Sequence, residues 1–188
     1  MNDPMRLAVL LVTLVLASAC VPDWRAELAA WKHPGALPSF PLVDDTGRAF
    51  RLSELKGAPV VVGFVFTRCP VADACPMTMA KLAELARIAP SLQILVVTLD
   101  PEFDTPPILA EYARRHELGG GARMATGSKE VVDAMASLFN VVALRRSGVD
   151  IGHPVKVALL DKALRPVHEW HDNQFDPREI VNHASTAQ

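Results

Sequence analysis

The stretch Val60-Val61-Val62-Gly63-Phe64-Val65-Phe66, opened by Pro59, limits the fold more than any other part of this chain. Seven consecutive apolar residues leave no polar face, so the segment reads as a strand covered on both sides, as in a parallel core. It runs into Thr67-Arg68-Cys69-Pro70, and after Val71-Ala72-Asp73-Ala74 comes Cys75-Pro76. Proline suits the first turn of a helix, where a missing N–H costs nothing. The two thiols are therefore expected on the loop between the carboxyl end of a central strand and a helix N-terminus. Oriented N–H groups and the helix dipole favour an anion there, so Cys75 in particular is expected to have thiolate character. Thiolates bind soft metals and exchange disulfides.

At 188 residues, half of them hydrophobic, the chain can bury one sizeable core beside an N-terminal extension. The net charge of −2 and the lack of any basic run argue against a nucleic-acid partner. Arg6 precedes an apolar stretch, Leu7 to Leu16, that is too short to span a bilayer and has the character of a signal h-region. Asp3 makes the first residues less basic than such signals usually are; a start at Met5 would remove that anomaly. Ala17-Ser18-Ala19-Cys20 fits a bacterial lipoprotein box, with Cys20 lipidated, which is the favoured route; it is also an ordinary signal-peptidase site. The expected division is residues 1–19 as signal peptide, 20–36 as anchor cysteine and tether, and 37–188 as the folded domain. That domain would work in the bacterial periplasm, held to a membrane through Cys20, where disulfides survive. Trp24 and Trp31 in the tether are left to pack on the domain or face a membrane. Cys69 and Cys75 remain as the domain's pair.

Along the domain, Phe40 to Val43 and Ala49 to Leu52 flank Asp44-Asp45-Thr46-Gly47, a hairpin pattern. Met79, Leu82, Ala83, Leu85 and Ala86 repeat at helical spacing up to Ala89-Pro90. Leu92 to Leu99 is a second continuous apolar strand. Thr105 and Pro106 open a helix, Gly119-Gly120-Gly121 ends it in a flexible loop, and Ser128 caps another through Phe139. Val155 to Leu160 and Leu164 to Trp170 form a second hairpin about Asp161, and Asp176-Pro177-Arg178-Glu179 starts a last helix. Strand–helix–strand with long apolar strands implies a parallel core, and the hairpins add antiparallel strands at its edges. The expected fold is an α/β thioredoxin-like sandwich with a mixed central sheet, helices on both faces and terminal β-hairpins.

Over roughly residues 37–183 the chain resembles the Sco/SenC family of copper-binding, thioredoxin-like proteins. The resemblance rests on Phe64-Val65-Phe66-Thr67-Arg68-Cys69-Pro70, Cys75-Pro76, Leu99-Asp100-Pro101-Glu102-Phe103-Asp104-Thr105-Pro106, Glu111-Tyr112-Ala113, Thr126-Gly127 and His153 before the strand from Val155. It implies copper as Cu(I) or Cu(II), held by Cys69, Cys75 and His153. It also implies an extracytoplasmic copper chaperone or assembly factor acting on the CuA site of cytochrome c oxidase subunit II, or on another cuproprotein, as a monomer. Two thiolates suit Cu(I), and an added imidazole suits Cu(II) as well. The departure is the spacing: five residues separate the cysteines where most family members have three. Six residue steps reach roughly 20 Å when extended, so the loop must fold back to bring the Cα atoms within about 7 Å for a disulfide. A second departure, Ala122-Arg123-Met124 where the family carries a tryptophan, reads as a packing difference.

The alternative is a thiol–disulfide oxidoreductase in which Cys69 and Cys75 are the catalytic pair. A peroxidase of the peroxiredoxin type fits less well, because only Arg68 separates Thr67 from Cys69. A structural staple is the plain reading of the pair. Pro154 is a candidate cis-proline beside it. His33, His116, His168, His171 and His183 read as surface residues, and Met77 and Met79 as core filler. Asp100 is divided between a turn cap and a group tuning the cysteines. Arg68 is divided between a thiolate partner and a solvated charge.

Overall fold

The computed structural model describes residues 21–147 and 150–187; the expected signal peptide and Cys20 lie outside them. In chain order the elements are α1 (Trp24–Ala30), β1 (Pro41–Asp44), β2 (Ala49–Arg51), β3 (Val60–Val65), α2 (Cys75–Ile88), β4 (Gln93–Thr98) and α3 (Pro106–Arg115). There follow β5 (Ala122–Thr126), α4 (Lys129–Leu138), β6 (Leu144–Ser147), β7 (Asp150–Gly152), β8 (Lys156–Leu160), β9 (Pro166–His171) and α5 (Pro177–Thr186).

Seven strands form one mixed sheet in the order β2-β1-β5-β4-β3-β8-β9, with β3, β4 and β5 parallel and both flanks antiparallel. This is the expected thioredoxin-like arrangement. All six residues of β3 are buried, as a strand covered on both faces must be. Successive side chains of a strand point to opposite faces. Phe64 meets Phe139 at the end of α4, ring centroids 5.4 Å apart. Gly63 faces the other way, onto α2, where a Cβ would come 3.0 Å from Leu82 Cδ1. Helices therefore cover both faces, and glycine at 63 lets α2 sit close to the sheet.

Four elements differ from the sequence reading. β5, between β1 and β4, is a strand where none was expected. β6 and β7 form a separate small hairpin ahead of β8. Residues 21–36, expected as a tether, carry α1, capped by Asp23 through the Arg25 N–H. Trp24 is buried against Phe40 at 5.4 Å, and Arg25 pairs with Glu130 of α4. The candidate cis-proline is also corrected: His33–Pro34 is the cis peptide among the described residues, not His153–Pro154. Thr105 does precede α3 but makes no side-chain capping bond. No helix among the described residues is long and apolar enough to cross a membrane.

The β8–β9 turn is held by Asp161. Its Oδ1 accepts the N–H groups of Ala163 and Arg165, both at 2.9 Å, and its Oδ2 accepts Arg165 Nε at 2.8 Å. Burial alone would raise the pKa of this carboxyl, but the backbone donors and Arg165 outweigh it and the net shift is downward. A folded value below the unfolded one means the stabilisation is complete above about pH 4 and is lost as pH falls through the folded value. Asp161→Asn is expected to lower stability at neutral pH and to flatten the acid limb of a urea-unfolding series. An unchanged acid limb would refute this.

Candidate metal centre

The sheet register places the site. β8 runs antiparallel to β3 with Gly63 opposite Val157, so the start of β8 lies beside the end of β3. His153, three residues before β8, thereby reaches the turn that leaves β3 at Phe66. The His153 ring packs edge-on against Phe66 at 5.7 Å. Its Nδ1 lies 2.9 Å from the Pro154 carbonyl oxygen. A carbonyl only accepts, so Nδ1 carries the proton and the lone pair belongs to Nε2. That Nε2 is 3.6 Å from Cys75 Sγ. Burial holds His153 below the ordinary imidazole range, against a weaker upward pull from the Pro154 bond, which keeps the ring neutral and able to ligate.

Two ligands of one tetrahedral ion, with a sulfur at about 2.3 Å and a nitrogen at about 2.0 Å, stand about 3.5 Å apart. Cys75 and His153 are already at that separation. Cys69, at the other end of the same loop, is near enough to Cys75 to raise its pKa. Neither cysteine is in a disulfide. Cys69 Sγ points back toward Val71 O at 3.9 Å. The donors of Cys69, Cys75 and His153 do not all lie within 4.8 Å of one another. A change of rotamer, which carries a Cys Sγ about 3 Å, is the scale of movement that closes such a gap.

The expected thiolate character of Cys75 is corrected. Its side chain is buried, and burial pushes the thiol pKa strongly upward, with the neighbouring Cys69 adding to the rise. The helix N-terminus and the Phe66 backbone pull the other way. A helix terminus supplies at most about 2 kcal/mol, whereas burial can shift a group by several units at 1.36 kcal/mol each. Desolvation wins, and without metal Cys75 is a thiol.

The five-residue spacer turns outward, with Val71, Ala72 and Asp73 exposed, and returns through an Ala74 N–H bond to Val71 O at 3.0 Å. Asn173, between β9 and α5, grips its end. The Asn173 amide donates to the carbonyls of Asp73 at 2.6 Å and Ala74 at 3.0 Å, and its Oδ1 accepts Thr78 Oγ1 at 2.8 Å. Nothing in the sequence pointed to this residue.

Arg68 neither faces a thiolate nor stands free. It binds Asp100 Oδ2 at 2.6 Å and stacks 3.8 Å over Phe103. Asp100 is also a turn cap, accepting the N–H groups of Phe103 and Asp104 on its carbonyl. Met79 is core, whereas Met77 is exposed. Of the other histidines, His168 and His183 come together 4.2 Å apart, ring to ring, away from the expectation of separate surface groups.

The SCO1/SenC family model matches residues 32–187. An SCO2-like protein of Rickettsia felis is 34% identical over 116 residues, 59% of this chain and 54% of its own. A protein of Stutzerimonas stutzeri described as copper-binding is 31% identical over 121 residues, 56% of this chain and 58% of its own. The chain thus spans little more than half the length of the curated relatives it matches. The solved structure of Bradyrhizobium japonicum ScoI with copper bound superimposes with a TM-score of 0.68 at 24% identity, covering 79% of this chain and 97% of that one. With the family model matching from α1's end to the close of α5, this chain belongs to the SCO1/SenC family.

Proposed function

We propose that this chain binds one copper ion through Cys69, Cys75 and His153 and carries it, outside the cytoplasm, to a cuproprotein whose site needs it, the CuA centre of cytochrome c oxidase subunit II being the expected recipient. The observation that carries the reading is the 3.6 Å approach of Cys75 Sγ to the lone-pair nitrogen of a half-buried, neutral His153. Two sulfurs and an imidazole suit both oxidation states of copper and disfavour hard cations. The ion is cargo, so the site must release as well as bind. One half-buried and one buried sulfur at a loop give it an exposed side from which a partner's ligands can enter. Export through the N-terminal signal, with or without a lipid on Cys20, would place the domain in the periplasm.

A second reading is favoured by two thiols, neither in a disulfide, at the two ends of one loop. In it the dithiol reduces a partner disulfide, giving up two electrons and two protons as Cys69 and Cys75 join. Anaerobic titration of the reduced protein separates the two. Binding of one Cu(I) per chain is expected, and with Cu(II) a thiolate-to-metal charge-transfer band that His153→Ala weakens together with a loss of affinity of about ten-fold or more. Absence of copper uptake by the reduced protein would sink the carrier reading. Disulfide exchange that His153→Ala leaves intact would leave the reductase standing.

A further inference from the structure

A second constellation of metal-binding groups lies elsewhere on the molecule. His168, Glu179 and His183 each present a donor atom, and these atoms all lie within 4.8 Å of one another. The fold brings them together from two elements. Glu179 and His183 are one helical turn apart on α5, so they share a face of the helix, with His183 Nε2 3.7 Å from Glu179 Oε1. His168 comes from β9, two residues from Trp170 and therefore on the same side of that strand. The rings of His168 and Trp170 are 4.3 Å apart, and those of Trp170 and His183 5.7 Å. Trp170 is buried, so it forms a fixed floor against which both imidazoles rest. Its packing lowers the entropy lost when the two rings are held around an ion.

We propose that His168, Glu179 and His183 form a second metal site, for a borderline divalent transition ion of the Zn(II) type, independent of the cysteine site. Two imidazole nitrogens and one carboxylate make a three-ligand set that leaves a fourth tetrahedral position to water. The softness of the set selects Zn(II), Cu(II) or Ni(II) over Ca(II) and Mg(II), which prefer all-oxygen shells. Ligands at about 2.0 to 2.2 Å from one ion stand roughly 3.3 to 3.5 Å apart. The 3.7 Å pair is nearly there, and the half-buried His168 and exposed Glu179 side chains have room to close the rest. The lack of sulfur makes this site harder than the cysteine site, though still borderline, so the two differ in preference. The alternative account is a helical His–Glu ion pair with rings stacked on a tryptophan, and it makes a different prediction.

The test is a titration of the intact chain with Zn(II) alone, followed by the side-chain nitrogen resonances of each histidine. The ring signals of His168 and His183 are expected to move together and saturate at one ion, distinct from any response of His153. His183→Ala is expected to weaken the His168 response by about ten-fold or more, and Glu179→Gln by several-fold, with circular dichroism unchanged. Because each ring is read separately, failure of the cysteine site to bind metal does not affect the result. The proposal is overturned if the two rings stay unshifted up to roughly millimolar zinc, if they shift no more than exposed His171, or if His168 titrates identically in the His183→Ala chain.

Discussion

Cys75→Ser is expected to lower Cu(I) affinity by more than about a thousand-fold, equivalent to about 4 kcal/mol, while the protein stays folded. Cys75 approaches His153 at 3.6 Å and also interacts with Cys69, so its loss touches both of the other candidate ligands. A serine oxygen is a hard donor that does not ionise at neutral pH, and Cu(I) prefers soft sulfur. The hydroxyl fits the buried space and can donate to His153 Nε2, which keeps the stability cost to about 1 kcal/mol. Cys69→Ser should cost nearly as much affinity, and His153→Ala less. The protonation of Cys75 adds a second signature. Burial keeps it a thiol in the free protein, so copper must displace its proton and affinity rises with pH, by about ten-fold per unit for that one proton. Competition against a Cu(I) chelator across a pH series reads both effects. Retention of affinity within ten-fold in Cys75→Ser would remove copper from the function proposed for this pair.

The parts of this protein that could be read in advance are those whose cause is local. β3 announces itself by seven apolar residues, α2 by Pro76 and its periodic leucines, and the β8–β9 turn by Asp161. β5 does not, because Ala122 and Arg123 are half-exposed and the segment becomes a strand only through pairing with β4 and β1. The site divides the same way. The cysteines were visible in place, but His153 lies 78 residues beyond Cys75, and their meeting depends on the antiparallel β3–β8 register. Only the family resemblance singled it out from five other histidines. The thiolate expectation failed because a helix terminus is visible in sequence and the burial depth of its first residue is not. Asn173 and the pairing of Arg68 with Asp100 were missed for a like reason: each role is given by a contact across the fold.

Asp104 is where the fold and the site are most tightly joined, and its removal is expected to have the largest effect on stability. Its side chain is fully buried. Oδ2 accepts the Thr67 backbone N–H at 3.1 Å, and the hydroxyls of Thr67 and Thr98 both donate to the carboxylate. Burial pushes its pKa above the ordinary carboxylate range, and the bonds from Thr67 and Thr98 only partly offset that. Asp104→Ala leaves one N–H and two hydroxyls without this acceptor, at about 1 to 3 kcal/mol for each group that finds no other partner, so a loss of about 3 to 5 kcal/mol is expected. Asp104→Asn keeps the shape and an oxygen for the Thr67 N–H. A hydroxyl can rotate to accept from the amide, and the cost of burying a charge disappears, so the loss should stay near 1 kcal/mol. Thr67 lies two residues before Cys69, at the point where the chain leaves β3. The alanine variant should therefore also speed amide exchange from Thr67 to Cys69 and weaken copper binding, whereas the asparagine variant should leave both close to the parent. Urea unfolding and hydrogen exchange of the two variants check this together. An alanine variant losing less than about 1 kcal/mol would mean that the threonines find other partners and that the β3 exit is held by packing alone.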